Sequence, residues 1–337
     1  MEKVKVGFVG VGGIAGAHLR NVQQDPQAEI VAVCDIVKEN AEKKGAEYGA
    51  RAYTDIDLML EKEMLDALFI CVPPFAHGEI EEKAAKKGIH LLVEKPLGLD
   101  LDTVNRKAEA IRKAGIVNAS GYCLRYLDTV QKAKEYLKDK TVAMVRGHYL
   151  TSWVPTPWYR EMKKSGGQLV EQSTHTIDMI RYLVGEIDKV YANMSLVLLN
   201  DIENIDIPDV TSVNFTFESG GVGHLDSTVI QHDHRMGVEL LGRDFRVVID
   251  GVNVIIEERG KTTTYKSGID FYAEQDRAFI EAVQTKNQDL ILASYEDGVK
   301  TLAVTLAANE SQKSGQAVSL SSFCQSVLQG SSYDEKR

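Results

Sequence analysis

The chain has 337 residues, 44% of them hydrophobic and 26% charged, with a formal net charge of −10. At roughly 100–200 residues per domain, that length suggests about two domains, each able to bury a core. The acidity excludes a nucleic-acid footprint, which needs clustered Lys and Arg, and no apolar run approaches the ~20 residues of a membrane helix.

Residues 1–16 place lysines before apolar residues but contain five glycines, so they are not read as a signal peptide. Residues 3–9 form an apolar run ending in glycines, 14–24 suit a helix, and 29–35 form a second run, β-branched at Ile30, Val31 and Val33. An amphipathic helix is expected over 37–48 and a strand over 67–72. That strand stops at Pro73-Pro74, because proline cannot continue a ladder. Then come a helix (77–87), a strand (89–93), a helix (102–114) and a strand (116–119). This alternation predicts βαβ units around a parallel sheet, an α/β Rossmann domain spanning 1–122.

The pattern changes beyond Tyr122. A helix over 129–137, a strand over Val142–Leu150, an irregular Trp/Pro stretch and a helix over 168–183 lead into strand-rich sequence. Val213, Phe215 and Phe217 alternate with Ser212, Asn214 and Thr216, giving one buried and one polar face. Ser219-Gly220-Gly221 turns into a strand over 222–230, and Asp250-Gly251 marks a hairpin. Helices over 272–284 and 295–313 close the chain, the second capped by Ser294 and Asp297. Residues 123–337 are thus expected to form an α+β domain with an antiparallel sheet, ending in a polar, loose tail from Ser321. Cys34, Cys71, Cys123 and Cys324 lie far apart. Neither a disulfide framework nor a zinc site is expected, and reduced thiols suit a cytoplasmic protein.

Gly10-Val11-Gly12-Gly13-Ile14-Ala15 follows the first strand and opens the first helix, matching G-x-G-x-x-[G/A]. The first glycine permits a tight turn, the second lets backbone approach a pyrophosphate, and Ala15 allows close helix–strand packing. Asp35, about twenty residues on at the end of the second strand, stands where an acid binds ribose hydroxyls. It would repel a 2′-phosphate, so NAD is favoured over NADP, although Lys38 leaves room for NADP. Glu94-Lys95-Pro96 ends another strand, where open α/β sheets bind ligands; a surface turn is the competing reading. Glu171, His175 and Asp178 share one face of the predicted helix. A carboxylate beside an imidazole orients it and raises its basicity, although a solvated pair is the better reading without context. The preceding Ser165-Gly166-Gly167 favours close ligand approach.

With Pro73-x-x-x-His77 added, these pieces make the chain resemble, over nearly its whole length, the glucose-fructose oxidoreductase / inositol dehydrogenase / rhizopine catabolism (Gfo/Idh/MocA) family. The resemblance implies a Rossmann domain followed by a domain with a large, mostly antiparallel open sheet, through which homodimers or homotetramers form. It implies an NAD(P)-dependent enzyme acting on a sugar or cyclitol. His175 would be the base, Lys95 would stabilise the oxyanion, and Glu171 would orient one of them. Gly10, Val11, Gly12, Gly13, Ile14, Asp35, Val72, Pro73, His77, Glu94 and Lys95 would line the cofactor site, and the Lys95–Pro96 bond would be cis. Glu171 departs from the family's usual Asp, and Val72 from its usual Thr.

Arg125, Trp153, Trp158, Tyr159, Arg160 and Asp178 are candidate substrate contacts. For the Trp/Pro stretch the alternative is a loop packed on its own core. His232, Asp233 and His234 give no closed metal site, so no metal is expected. His18, His90, His148 and His224 are read as structural or exposed, and Glu81-Glu82-Lys83 as a solvated helix face. Two competing functions remain open: a regulator that senses NAD or a sugar without turnover, and a reductase of a non-sugar carbonyl, dihydrodiol or imine.

Overall fold

The computed structural model describes residues 2–325. The first unit holds six strands: β1 (Val4–Val9), β2 (Ala28–Cys34), β3 (Arg51–Tyr53), β4 (Ala67–Ile70), β5 (His90–Val93) and β6 (Asn118–Ser120). Every pair is parallel, in the order β3-β2-β1-β4-β5-β6. This is the doubly wound arrangement, with its switch point between β1 and β4. β3 and the helix Ile56–Lys62 were not foreseen: β3 has three residues, two of them exposed, too few to show periodicity.

The first unit is not one continuous stretch ending at residue 122. It comprises Met1–Gly98, Thr103–Tyr126 and Asp270–Val299. The helix Phe271–Thr285 returns to it because Phe279, Ile280 and Val283 join the core of Val6, Phe8, Leu19 and Phe69. Phe69 stacks on Phe8 at 4.8 Å and meets the Phe279 edge at 5.3 Å. Burying each such side chain contributes about 1.5–3 kcal/mol, which fixes the returning helix despite its distance in sequence.

The second unit comprises Leu99–Asp102, Leu127–Ile269 and Lys300–Arg337. Its strands are β7 (Val142–Leu150), β8 (Ile187–Ser195), β9 (Val210–Phe217), β10 (Val222–Thr228), β11 (Arg235–Gly242), β12 (Phe245–Asp250), β13 (Asn253–Glu258), β14 (Lys261–Tyr265) and β15 (Val318–Ser319). They form one open sheet in the order β14-β13-β12-β11-β7-β10-β9-β8-β15. Pairing is antiparallel except between β10 and β7. The alternation in β9 holds, with Val213, Phe215 and Phe217 buried, and Gly251 turns the β12–β13 hairpin at φ +56°. The helix Thr174–Val184 packs on β7 and β11, and Asp128–Leu137 packs on β13.

Ser294 and Asp297 cap the helix Tyr295–Ser314 reciprocally, each side chain accepting the other's amide at 3.1 Å. Of the tail expected to be loose, 321–325 continue a helical turn and the rest lies outside the described residues. Among the described residues, no helix is long and apolar enough to cross a membrane.

Candidate active site

The glycine turn sits at the carboxyl end of β1. Gly10 has φ +76°, and a Cβ there would stand 2.6 Å from the Cys71 carbonyl oxygen, so only glycine fits. Gly10 N donates to Cys34 O at 2.8 Å, and Val11 N donates to Asp35 Oδ2 at 3.1 Å. Gly12 and Gly13 face open space, where a Cβ would meet nothing within 4 Å. The helix Ala15–Gln24 starts at Ile14 with no side-chain cap. An uncapped helix start beside an open glycine cradle is the donor set a pyrophosphate needs. The residues therefore fit a dinucleotide: Gly12, Gly13 and Ile14 toward the phosphates, Asp35 toward the ribose. Asp35 is half-buried, with Oδ1 held by the Val37 amide at 2.9 Å, while Ile36 is 92% exposed beside it.

Val72 and Pro73 follow β4, and Val72 packs against Gly10. His77 turns inward: it is buried, and its Nδ1 lies 2.6 Å from Glu81 Oε1. Glu81 is fully buried, with Oε2 at 2.9 Å from the equally buried Lys107. This corrects the reading of Glu81 as part of a solvated face. Its partners lie four residues before it and on another helix, and Lys107 could not be matched to it by local pattern.

Glu94-Lys95-Pro96 follows β5 with a cis Lys95–Pro96 bond. Lys95 is half-buried. Glu94 is buried, its Oε2 accepting the Lys95 amide at 3.2 Å and its Oε1 facing His18 Nε2 at 3.1 Å. His18 Nδ1 lies 2.7 Å from Asp276 Oδ1, and Asn21 Nδ2 donates to Asp276 Oδ2 at 2.8 Å. Burial opposes a charge on His18, but Asp276 and then Glu94 outweigh it and push its pKa up to about 10. Gly121 makes room for this group, since a Cβ there would lie 2.5 Å from the Glu94 carboxylate. None of His18, Asp276 and Gly121 stood out in the sequence. The signal that could have found His18 is its place one turn into the helix opened by the glycine motif.

Arg125 is placed differently from its expected substrate role. It is 4% exposed and commits Nη1 to the Leu292 carbonyl at 2.6 Å, with Asp297 at 3.5 Å, tying the returning segment to its own unit.

In the second unit, Gly166 and Gly167 both have positive φ, +74° and +82°. A Cβ on Gly166 would crowd Val170 at 2.9 Å and Leu99 at 3.0 Å. The single helix expected over 168–183 is two: Gln168–Glu171 and Thr174–Val184. Ser173 N reaches back five residues to Gln168 O, and the ladder restarts beyond it. Gln172, in the break, accepts the Tyr159 hydroxyl at 2.8 Å. Glu171 and His175 thus stand on opposite sides of a break, both half-buried, so the one-face argument for them does not hold.

Asp178 is 1% exposed and accepts the Thr301 hydroxyl at 2.9 Å. Thr301 in turn takes Arg181, which forks onto Glu186 at 2.8 and 2.9 Å. Asp178 therefore sits in a buried polar network of its own unit instead of presenting to an open pocket. Tyr159 is buried with Ile207 and Val229, and Trp153 and Trp158 pack edge-on around it. The loop-on-core reading fits this stretch, leaving Trp153 and Trp158 half-buried. Arg160 donates to the Glu203 carbonyl at 2.8 Å.

Residues 4–122 match the family described as "Oxidoreductase family, NAD-binding Rossmann fold" (GFO_IDH_MocA), and residues 130–252 match the GFO/IDH/MocA C-terminal domain. The chain is 29% identical to myo-inositol 2-dehydrogenase of Thermotoga maritima, over 94% of this chain and 98% of that protein. It is 25% identical to the NAD(+) scyllo-inositol 2-dehydrogenase of Bacillus subtilis, over 95% and 97%. The crystal structure of a probable dehydrogenase from Thermotoga maritima superposes with a TM-score of 0.82 at 25% identity, covering 95% of this chain and all of that one. Both domains and the order of their motifs place this NAD-binding chain in the GFO/IDH/MocA oxidoreductase family.

Proposed function

We propose that this protein is an NAD-dependent dehydrogenase that moves a hydride between the nicotinamide and a CH–OH carbon of a sugar or cyclitol. The observation that carries the reading is the position of Lys95. It follows β5 at the carboxyl end of the sheet, on the side where the open glycine cradle follows β1 and Val72-Pro73 follows β4. A half-buried lysine at that end of the sheet supports a role on the substrate over a solvated surface turn. The inositol dehydrogenases among the relatives support the substrate class.

Bound NAD supplies the hydride acceptor. As the reacting C–H electrons leave with the hydrogen, the hydroxyl proton passes to the imidazole of His175. Lys95 stabilises the negative charge that grows on the oxygen, and Glu171 orients one of these two groups. Asp35 selects NAD by accepting the ribose hydroxyls and repelling a 2′-phosphate. The four cysteines are free, in keeping with a reducing cytoplasm. A homo-oligomer through the large sheet is supported by Met144, Tyr191 and Val222, exposed along a groove of about 520 Å³ on its face.

The test is NADH formation at high and low substrate across inositols, aldoses, sugar acids and sugar phosphates, with NAD and NADP in parallel. Turnover with NAD and one polyol class is expected. Lys95→Ala should lose about 10²–10³ in kcat while binding NAD as before, because the phosphate turn is untouched. NAD binding without turnover on any of these compounds would sink the reading, and an unchanged kcat in the variant would remove Lys95 from the chemistry.

A further inference from the structure

We propose that His18 is a positioning residue for this reaction: bridging Asp276 and Glu94, it holds the turn that carries Lys95 in register with the glycine turn. The inference rests on the role given to Lys95 above. His18 lies on the helix Ala15–Gln24, which the glycine turn opens. Asp276 lies on the returning helix Phe271–Thr285, and Glu94 directly precedes Lys95. One imidazole therefore ties together three pieces of chain that meet nowhere in sequence.

Ionised carboxylates only accept hydrogen bonds, so a ring with a carboxylate at each nitrogen must donate from both. Only the imidazolium does so, and the alkaline displacement of its pKa agrees with that state. His18, Asp276 and Glu94 are 0%, 2% and 4% exposed. The remaining carboxylate oxygens are not idle: Asp276 Oδ2 takes Asn21, and Glu94 Oε2 takes the Lys95 backbone amide. The ring itself is wedged by Phe69 at 5.5 Å and the Tyr272 edge at 5.9 Å. Glu94 has little freedom to relax, because Gly121 backbone closes in beside it.

Stability alone is a poor reason for this arrangement, since well-packed apolar side chains serve a buried core as well as ions do. What ions add is direction. Without the cation, two buried carboxylates lose the donor that lies between them. The grip on the Lys95 amide then changes, and with it the aim of the side chain. Misplacement by about an ångström costs up to 10²-fold in rate.

The experiment compares wild type, His18→Gln, Glu94→Gln and the double variant for kcat, KM and NAD affinity, with nitrogen NMR of the His18 ring in the wild-type protein. Expected are a loss of about 10–100-fold in kcat for His18→Gln, with KM and NAD affinity within about threefold of wild type. The double variant should be no worse than its weaker parent, because both act through one carboxylate. Both ring nitrogens should stay protonated at about pH 8, well above the ordinary histidine pKa. An unchanged kcat, a kcat loss matched by lost NAD affinity, or additive losses overturn the proposal. So does a neutral ring at that pH, which remains readable if a variant does not fold. A wild-type protein without turnover defeats the proposed function and this inference together; an active wild type beside an equally active His18→Gln defeats only this one.

Discussion

The nucleotide-binding unit buries two charge networks of opposite design. Around His18 a cation sits between two anions, Asp276 and Glu94. Around Glu81 an anion sits between two nitrogens, His77 Nδ1 at 2.6 Å and Lys107 Nζ at 2.9 Å. The first spans 258 residues and uses both nitrogens of its imidazole; the second starts from an i,i+4 pair and leaves His77 Nε2 buried without a hydrogen-bond partner among the described residues. Only the first touches the turn carrying Lys95. The second ties the segment after β4 to the helix Leu101–Ala114. On the role proposed for His18, burial of charge does not by itself mark a working site; what matters is where the last hydrogen bond of the network ends, here at the Lys95 amide.

The largest effect is expected from neutralising Glu81. Glu81→Gln leaves Lys107 buried with no anion, and removing one partner of a buried pair costs about 3–5 kcal/mol. Chemical denaturation should show that loss, while kcat of the protein that remains folded stays near wild type. A kcat loss as large as that of His18→Gln, at equal folded fraction, would erase the functional distinction between the networks.

Much of the fold was legible because local patterns suffice for it. The glycine turn, the alternating runs and the β9 and hairpin signals each speak within about ten residues. What was not legible depends on partners far along the chain. Phe279 and Asp276 bring a late helix back to the first core, which no pattern near residue 122 announces. Glu81 looks solvated until Lys107 is placed beside it. The break at Gln172 and Ser173 has no proline or glycine to flag it; apolar periodicity runs through both short helices. At the candidate site, the motif residues were legible as residue types, but the ring holding Glu94 was not, because His18 belongs to no metal-like or catalytic spacing.

The two networks should also fail at opposite ends of the pH scale. Burial raises the pKa of Glu81, but His77 and then Lys107 outweigh it and hold the group below its ordinary 4.5. Its contribution is present above that value and is lost as pH falls through the lower folded one. His18 is displaced the other way, from 6.5 to about 10. The native state then keeps a proton that the unfolded chain releases, so this contribution is lost as pH rises from 6.5 toward 10. Urea midpoints across pH should show the gap between wild type and His18→Gln narrowing over that alkaline range. The gap to Glu81→Gln should narrow only below 4.5. Parallel curves for either variant would contradict the charge assignment of its network.

The smallest effect should come from the edge of the His18 network. Asn21 Nδ2 donates to Asp276 Oδ2 at 2.8 Å from a half-buried position. A hydrogen bond to a charged group is worth about 1.5–3 kcal/mol, and water reaching a half-buried site replaces part of it. Asn21→Ala should therefore cost about 1 kcal/mol in denaturation. It leaves both His18–carboxylate contacts in place, so kcat should stay within about twofold of wild type. If the network acts by direction, rate should follow the contacts on the path from His18 through Glu94 to the Lys95 amide, and Asn21 is off that path. A kcat loss in Asn21→Ala comparable to that of His18→Gln would mean that rate tracks the general rigidity of this corner, and the path would lose its meaning.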